Sequence, residues 1–208
     1  MPAVVDHGGR RLHVARIAAD IIARVGIDAV TMRQIAAEAG FSTAIVTHYF
    51  ASKQDLLLFT YQMAADNAQV RVRQALAQDE HDILGCVEAL LPCDADSTRD
   101  WKVFLSFWHT AVHDPVFAAE QATQAHNARR LLREVLAARM QAGLLDAALD
   151  LEFVSQRLLV MIVGAALQAI FDPQTWTREA QRRFFISELR LLCEQGACSF
   201  PAEEFLDV

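Results

Sequence analysis

The chain has 208 residues, of which 53% are apolar and 22% are charged, and its formal net charge is −7. This composition excludes an intrinsically disordered chain, and a chain of this length can bury about 70% of its unfolded surface without a metal or a disulfide. The 5 prolines and 8 glycines are separated by long stretches of strong helix formers, so the composition predicts an all-α fold.

The charge is unevenly distributed along the chain. Residues 10–53 contain six basic and three acidic side chains, a balance of +3, which leaves −10 for the remainder. A basic segment on an acidic body suits phosphate contact confined to one end of the protein. A solvated helix face would give a similar pattern.

Four helices are predicted in the amino-terminal third, at residues 10–25, 31–39, 42–50 and 52–76. Thr31, with Gln34 three residues later, fits the capping-box pattern at the start of the second helix. Gly40 supplies the positive φ angle that a tight turn needs. Ser42 and Ser52 are the expected amino-terminal caps of the third and fourth helices.

The rest of the chain predicts five more helices, at residues 82–91, 99–112, 115–142, 150–171 and 177–195, with a polar loop at 93–98. The sequence therefore predicts about nine helices in two domains. Residues 1–51 would form a DNA-binding domain, and residues 52–208 a ligand-binding and dimerisation domain.

Targeting and metal-binding signals are absent from the sequence pattern. The first nine residues lack the apolar core of a signal peptide, and the longest apolar run, residues 158–167, is about half a membrane span. We therefore expect a cytoplasmic protein with no membrane partner, in which this run is a buried helix. Cys86, Cys93, Cys193 and Cys198 form no CxxC pair, which predicts free thiols, no metal site and no cofactor.

Residues 31–50 have the layout of a helix-turn-helix, in which a capped helix and a glycine turn precede a second short helix. Such a unit lets the second helix enter a major groove about 12 Å wide. Spacing alone does not distinguish this unit from an ordinary helical hairpin.

Three motifs in this segment are more specific than its spacing: Thr31-Met32-Arg33-Gln34-Ile35-Ala36, Ala39-Gly40-Phe41-Ser42 and His48-Tyr49-Phe50-Ala51-Ser52-Lys53-Gln54-Asp55-Leu56-Leu57. They resemble the amino-terminal domain of the tetracycline-repressor (TetR) family of bacterial regulators. The last motif is similar to the family's Tyr-Phe-x-x-Lys-x-x-Leu signature. The resemblance implies a three-helix DNA-binding head on a helical body that binds ligand and forms a homodimer.

Resemblance and side-chain chemistry together predict the DNA-contacting residues. Cations, hydroxyls and backbone N–H groups bind phosphate, whereas short side chains on the second helix reach base edges. The predicted set is Thr31, Arg33, Gln34, Ser42, Thr43, Ala44, Thr47, His48, Tyr49 and Lys53. Four apolar neighbours are expected to pack in the core instead: Ile35, Ile45, Val46 and Phe50.

Two further features resemble the choline-responsive BetI branch of this family. Thr47 stands where many members carry an aromatic residue, and residues 104–108 and 113–115 are similar to the BetI-type body. This implies a choline-like effector, and aromatic faces attract such cations. The predicted ligand-binding residues are Trp101, Phe104, Phe107, Trp108, Phe117, Met161 and Phe171. Packing of these side chains as ordinary core is the alternative.

The last two predicted helices are the expected dimer interface, because residues 158–170 are apolar nearly all round and Phe184, Phe185, Leu189, Leu192 and Cys193 form a stripe. The predicted function is a ligand-responsive repressor that binds a palindromic double-stranded DNA operator as a homodimer and is released by a small molecule. No phosphate loop, nucleophile elbow or metal motif indicates an enzyme. The alternative is a helical adaptor that binds protein without sequence-specific DNA binding.

Overall fold

The structure is a computed structural model that describes residues 7–192. Within this range it contains nine helices: α1 His7–Val25, α2 Met32–Glu38, α3 Thr43–Tyr49, α4 Lys53–Gln78, α5 Ile83–Leu90, α6 Ala95–Ala111, α7 Pro115–Gln141, α8 Leu151–Phe171 and α9 Arg178–Leu192. The predicted all-α architecture is confirmed for this part of the chain. Cys193, Cys198 and the predicted end of the last helix lie outside the described residues.

The described chain divides into two compact units. The first contains the described residues up to Asn67 together with Arg99–Ala122. The second contains Ala68–Thr98 and the described residues from Thr123 onward. The predicted boundary at residue 51 divides the chain by expected function and does not coincide with the division into compact units; it stays a prediction.

The core of the first unit is built on the apolar face of α1. Val14, Ala18 and Ile21 recur at helical spacing on this face and are fully buried. Residues from α2, α3, α4, α6 and α7 complete the core: Ile35, Ala36, Val46, Leu56, Tyr61, Ala64, Val103, Phe107 and Phe117. This core holds α2 and α3 against α1 and so positions the residues predicted to contact DNA.

In the second unit, α5 packs against α9. Glu88 on α5 accepts hydrogen bonds from Arg178 (3.4 Å) and from Arg182 on α9. Helices α5, α7, α8 and α9 contribute buried apolar residues to this unit, among them Ile83, Val87, Leu132, Leu136, Leu158, Ile162, Phe185 and Leu189. Apolar burial therefore supports this unit, and the ion pairs lie at its edge.

Helix α6 begins four residues earlier than predicted, so the polar loop expected at residues 93–98 is wrong for its last four residues. The backbone N–H of Ser97 donates to Asp94 Oδ1 (2.7 Å), and the backbone N–H of Asp94 donates to Ser97 Oγ (3.1 Å). The first of these bonds is the main reason why the pKa of Asp94 lies below its usual range. These polar residues form a reciprocal helix cap, which accounts for their composition.

Helix α8 has 21 residues and, by length and composition alone, could cross a membrane. The core helix of a soluble protein passes the same test, and one such helix is weak evidence for a membrane span. Several of its apolar side chains are exposed in the single chain, including Phe153, Val160 and Phe171. In the run predicted to be buried, Leu158 and Ile162 are buried within the chain, whereas Val160 is exposed, so the opposite face of α8 is left for a partner that the single chain does not supply.

Candidate nucleic-acid interface and effector region

Both helices of the predicted helix-turn-helix begin at the predicted caps. Thr31 Oγ1 accepts a hydrogen bond from the backbone N–H of Gln34 (3.1 Å), and Ser42 Oγ accepts one from that of Ile45 (3.3 Å). The side-chain amide of Gln34 donates to Glu38 Oε1 (3.3 Å), so this side chain is directed along α2. The bond from the Gln34 backbone N–H to the Thr31 side chain, which is one of the two bonds of a capping box, is therefore formed.

The turn between α2 and α3 depends on Gly40, which has a φ angle of +72°. Side chains with a Cβ atom rarely adopt this conformation, so glycine allows the chain to reverse within three residues. Val46, the fully buried residue of α3, anchors the helix to the core. The remaining faces of α3 are available to a partner.

Most of the predicted DNA-contacting residues are exposed in the structure. Gln34, Tyr49 and Lys53 are half-buried, and the others are exposed: Thr31, Arg33, Ser42, Thr43, Ala44, Thr47 and His48. Thr43 and Ala44, the first two residues of α3, are exposed and small, so this end of the helix can approach a base edge closely. Whether these residues contact DNA stays a prediction.

Ile45 of α3 differs from its expected role. Ile45 is 37% exposed, so the prediction that it packs in the core is wrong. Because α3 is one seven-residue helix anchored at Val46, the preceding residue points away from the core. An exposed isoleucine beside Ala44 is suited to contact with a thymine methyl group.

The hydroxyl of Thr47 is engaged within α3. It donates to the carbonyl oxygens of Thr43 and Ala44 (both 3.1 Å), so towards DNA this hydroxyl can act only as a hydrogen-bond acceptor.

Charged side chains connect the helices around this surface. The Arg24 guanidinium on α1 donates to Glu38 Oε2 on α2 (2.7 Å), and this bond holds the pKa of Glu38 below its usual range. Arg11 lies over the Phe50 ring (5.0 Å to the centroid). Lys53, the first residue of α4, donates a hydrogen bond from Nζ to the Asp28 carbonyl oxygen (3.4 Å). These contacts tie α1 to α2 and to the residue that ends α3, and they tie the start of α4 to the loop after α1.

An aromatic cluster on α6 forms the second candidate region of the first unit. Trp101 and Phe107 are 4% and 1% exposed, whereas Phe104 and Trp108 are half-buried. The Trp101 and Trp108 rings meet edge to face at 5.9 Å, and Phe104 and Trp108 are nearly parallel at 6.5 Å. The partial exposure of Phe104 and Trp108 leaves aromatic surface that a ligand can approach.

Tyr61 and Gln121 complete this cluster, and neither residue was predicted from the sequence. The Tyr61 ring stacks on Phe107 with 3.8 Å between centroids. Gln121 Oε1 accepts hydrogen bonds from the Tyr61 hydroxyl and from Trp108 Nε1. Tyr61 follows Leu57 by one helical turn, and this spacing indicates core rather than a polar network. The tertiary arrangement alone brings the three polar groups together.

The other predicted ligand-binding residues have different positions. Phe117 is buried against Phe107 with 4.5 Å between centroids. Met161 and Phe171 lie on α8 in the second unit, and Phe171 is 77% exposed. Their role in binding a ligand stays a prediction.

Burial raises the pKa of Tyr61 to about 12, and the Trp108 hydrogen bond opposes this shift. The folded protein thus favours the neutral phenol, and this stabilisation is present below pH 10 and lost as the pH rises towards about 12.

The chain has two tyrosines, so Tyr61→Phe leaves one. In an absorbance titration of tyrosinate, we expect the Tyr61→Phe variant to lack the step near pH 12. A variant that retains this step would contradict the assignment.

The second unit contains a cavity of about 290 Å³, lined by Arg71, Gly85, Glu88, Ala89, Leu91, Cys93, Asp94, Ser97 and Arg178. Arg71 Nε donates to the Ala89 carbonyl (3.1 Å), and Arg178 is bound to Glu88. Cys93 is free, as predicted, and burial raises the pKa of its thiol to about 11. At neutral pH this group is a protonated thiol, and the cavity lacks the aromatic lining that a choline-like cation favours.

Matches to known protein families support the assignment of a DNA-binding helix-turn-helix to the first unit. Residues 14–58 match the family described as bacterial regulatory proteins, tetR family. Residues 79–194, more than half of the chain, match the BetI-type transcriptional repressor, C-terminal family. This chain belongs to the TetR family. It is a helix-turn-helix transcriptional regulator with a BetI-type carboxy-terminal domain.

Individual TetR-family proteins match over most of the chain. The chain is 23% identical to the regulator PksA of Bacillus subtilis (93% of this chain, 94% of PksA) and 29% identical to BetI of Vibrio parahaemolyticus (84% and 87%). The structure of a transcriptional regulator from Rhodococcus sp. Rha1 superimposes with a TM-score of 0.78 at 24% identity (92% and 99%). A regulator from Saccharomonospora viridis in complex with choline superimposes with a TM-score of 0.77 at 22% identity (93% and 100%).

Proposed function

We propose that this TetR-family regulator is a repressor that binds a palindromic DNA operator as a homodimer and is released by a small cationic effector. The observation that carries the DNA part is the exposed, small-residue amino-terminal half of α3, held at a capped glycine turn. A helix presented in this way fits a major groove. We also propose that the protein is cytoplasmic and is not an enzyme.

The exposed face of α8 supports the homodimer. Phe153, Val160, Gly164 and Phe171 are separated by seven, four and seven residues, which places them on one side of the helix. A Cβ atom added at Gly164 would meet no heavy atom within 4 Å, so the stripe is open at its centre. A second copy of the same stripe would cover it in a two-fold interface, as homodimers commonly do. Two-fold symmetry in turn requires an operator with two similar half-sites.

The effector proposal rests on Phe104, Trp108 and their polar neighbours. A quaternary ammonium ion over an aromatic face gains roughly 0.5–2 kcal/mol per contact. Glu120 Oε2 accepts a hydrogen bond from Gln62 (3.1 Å) in the same unit and supplies a negative charge. Choline is the first compound to test, since a structural relative was solved with it and the carboxy-terminal family is BetI-type.

A polar contact between α1 and α6 provides a route from effector to DNA. Arg99 Nη1 lies 3.6 Å from Asp20 Oδ1 on α1, and the neighbouring Asp100 is fully buried and accepts a hydrogen bond from Asn67 (3.4 Å). Arg99 and the aromatic cluster belong to the same helix. A shift of α6 on effector binding would therefore act on α1, which supports the helix-turn-helix. Coupling of this kind amounts to about 1–3 kcal/mol.

The experiment that tests this proposal is selection of fragmented host genomic DNA on the purified full-length protein, with and without choline, followed by sequencing. We expect enrichment of one imperfect palindrome and its loss when choline is added. Enrichment without a choline effect would refute choline as the effector and leave the DNA proposal intact. A folded dimer that selects no sequence would overturn the DNA proposal in favour of a protein-binding adaptor.

Two substitutions should separate affinity from specificity at the operator. Lys53→Ala is expected to weaken binding to all duplexes and to lower the slope of log K against log salt by about 0.9, because one phosphate contact is lost. Thr43→Ala is expected to reduce discrimination at one base pair of each half-site by roughly fivefold. Fluorescence anisotropy with matched and mutated operators measures both effects.

Lys102 is the matched control for Lys53, because it is the other lysine of the chain and lies exposed on α6. Lys102→Ala should bind the operator as the wild type does. If neither Lys53→Ala nor Thr43→Ala changes operator binding, α3 is not the recognition helix.

A further inference from the structure

The first turn of α1 contains little that would form a helix by itself. The helix begins at His7, three residues before the start predicted from the sequence, and continues through Gly8 and Gly9. Each glycine costs about 1 kcal/mol relative to alanine in a helix, and the first turn of α1 has no acidic side chain. Contacts outside the turn would therefore stabilise it.

Those contacts are made by the ring of His7 with the end of α3. The centroids of the His7 and Tyr49 rings lie 5.8 Å apart in an edge-to-face arrangement, and those of His7 and His48 lie 6.0 Å apart. His48 and Tyr49 also meet edge to face at 5.4 Å. Three rings from two helices thus form one cluster at the carboxy-terminal end of the recognition helix.

This ring cluster lies at the edge of the proposed DNA-binding surface. His7 and His48 are exposed and Tyr49 is half-buried. Groups at the edge of a helix that enters the major groove face the phosphates that border the groove. A protonated imidazole donates charge-assisted hydrogen bonds to phosphate oxygens, so a histidine at this position can bind the DNA backbone.

We infer that His7 belongs to the DNA-contacting surface: its imidazole binds a backbone phosphate, and its ring holds His48 and Tyr49 in position. This inference rests on the proposed DNA-binding function. It assigns the first turn of α1 a direct part in operator binding, in addition to the packing role of the rest of that helix. DNA binding would also stabilise the glycine-containing turn.

Other charged groups near His7 enter any pH dependence of binding. On α1 these are Arg10 and Arg11, and the latter lies 3.7 Å from Asp55 at the start of α4. On α3 they are the imidazole of His48 and the phenol of Tyr49. A variant of His48 is therefore needed beside each variant of His7.

The test measures operator affinity and its salt dependence at about pH 6 and about pH 8. His7→Phe keeps a ring that can pack on Tyr49 but removes both nitrogens, and His7→Ala removes the ring as well. At the lower pH both variants should lower the slope of log K against log salt by about 0.9. At the higher pH His7→Phe should bind as the wild type does, and His7→Ala should still bind more weakly because its ring contacts are lost.

His109→Phe is the matched control, because His109 is an exposed histidine on α6. It should leave the affinity and the slope unchanged at both pH values. His48→Phe, alone and combined with His7→Phe, separates the two histidines: the slope at the lower pH should fall further in the double variant than in either single variant.

The inference is overturned if His7→Ala and His7→Phe both bind the operator as the wild type does at both pH values while Lys53→Ala binds more weakly. If the wild-type protein selects no operator at all, the proposed function has failed instead. Unchanged thermal unfolding of both His7 variants would show that any loss of binding is local, as expected for an exposed side chain.

Discussion

Replacement of Phe107 by alanine is expected to lower the free energy of unfolding by about 3–5 kcal/mol. The ring is 1% exposed and lies between Tyr61, on which it stacks at 3.8 Å, and Phe117 at 4.5 Å. Removing it leaves a cavity between rigid rings that cannot move together to fill the space. Chemical denaturation followed by circular dichroism measures the effect.

Val112→Ala is the control on the carboxy-terminal side of the same helix, because Val112 is 76% exposed. It should change the free energy of unfolding by less than about 0.5 kcal/mol. A similarly small effect of Phe107→Ala would mean that the aromatic cluster is open and that Phe107 faces a ligand rather than the core. A large effect places Phe107 in the core and leaves Phe104 and Trp108 as the accessible aromatic surface.

The second large effect is expected at the turn between α2 and α3. Gly40→Val should reduce operator affinity tenfold or more, because a β-branched residue at a φ angle of +72° is strained by about 1–2 kcal/mol or more. The strain is in the backbone, since a Cβ atom at Gly40 meets no heavy atom within 4 Å. Relief of the strain rotates α3, and each base contact then lost contributes about 1–3 kcal/mol.

Gly40→Asn separates backbone conformation from side-chain volume, because asparagine tolerates the left-handed region better than other residues with a Cβ atom. We expect the asparagine variant to retain most of its operator affinity, measured by anisotropy beside the valine variant. Equal losses in the two variants would indicate that added volume at the turn clashes with DNA. Retention in both would mean that the turn does not set the position of α3.

Local signals account for the elements that the sequence located correctly. Thr31, Ser42 and Asp150 cap α2, α3 and α8 through bonds to backbone N–H groups within three residues, so neighbouring residues suffice to predict them. The predicted starts of α1 and α6 were too late, and these errors also come from local signals in the sequence. The predicted start of α1 at residue 10 left out Gly8 and Gly9, which are poor helix formers, and the polar residues that cap α6 were predicted to be a loop.

The sequence by itself determined the helical architecture, the helix-turn-helix and the family, because periodicity, caps and motif spacing are local along the chain. The tertiary structure alone decided which side chains meet. It placed His7 beside Tyr49 and joined Tyr61, Trp108 and Gln121 into one polar network. It also left Ile45 exposed. These outcomes depend on how helices distant in sequence pack against one another, and the period of a single helix carries no information about its neighbours.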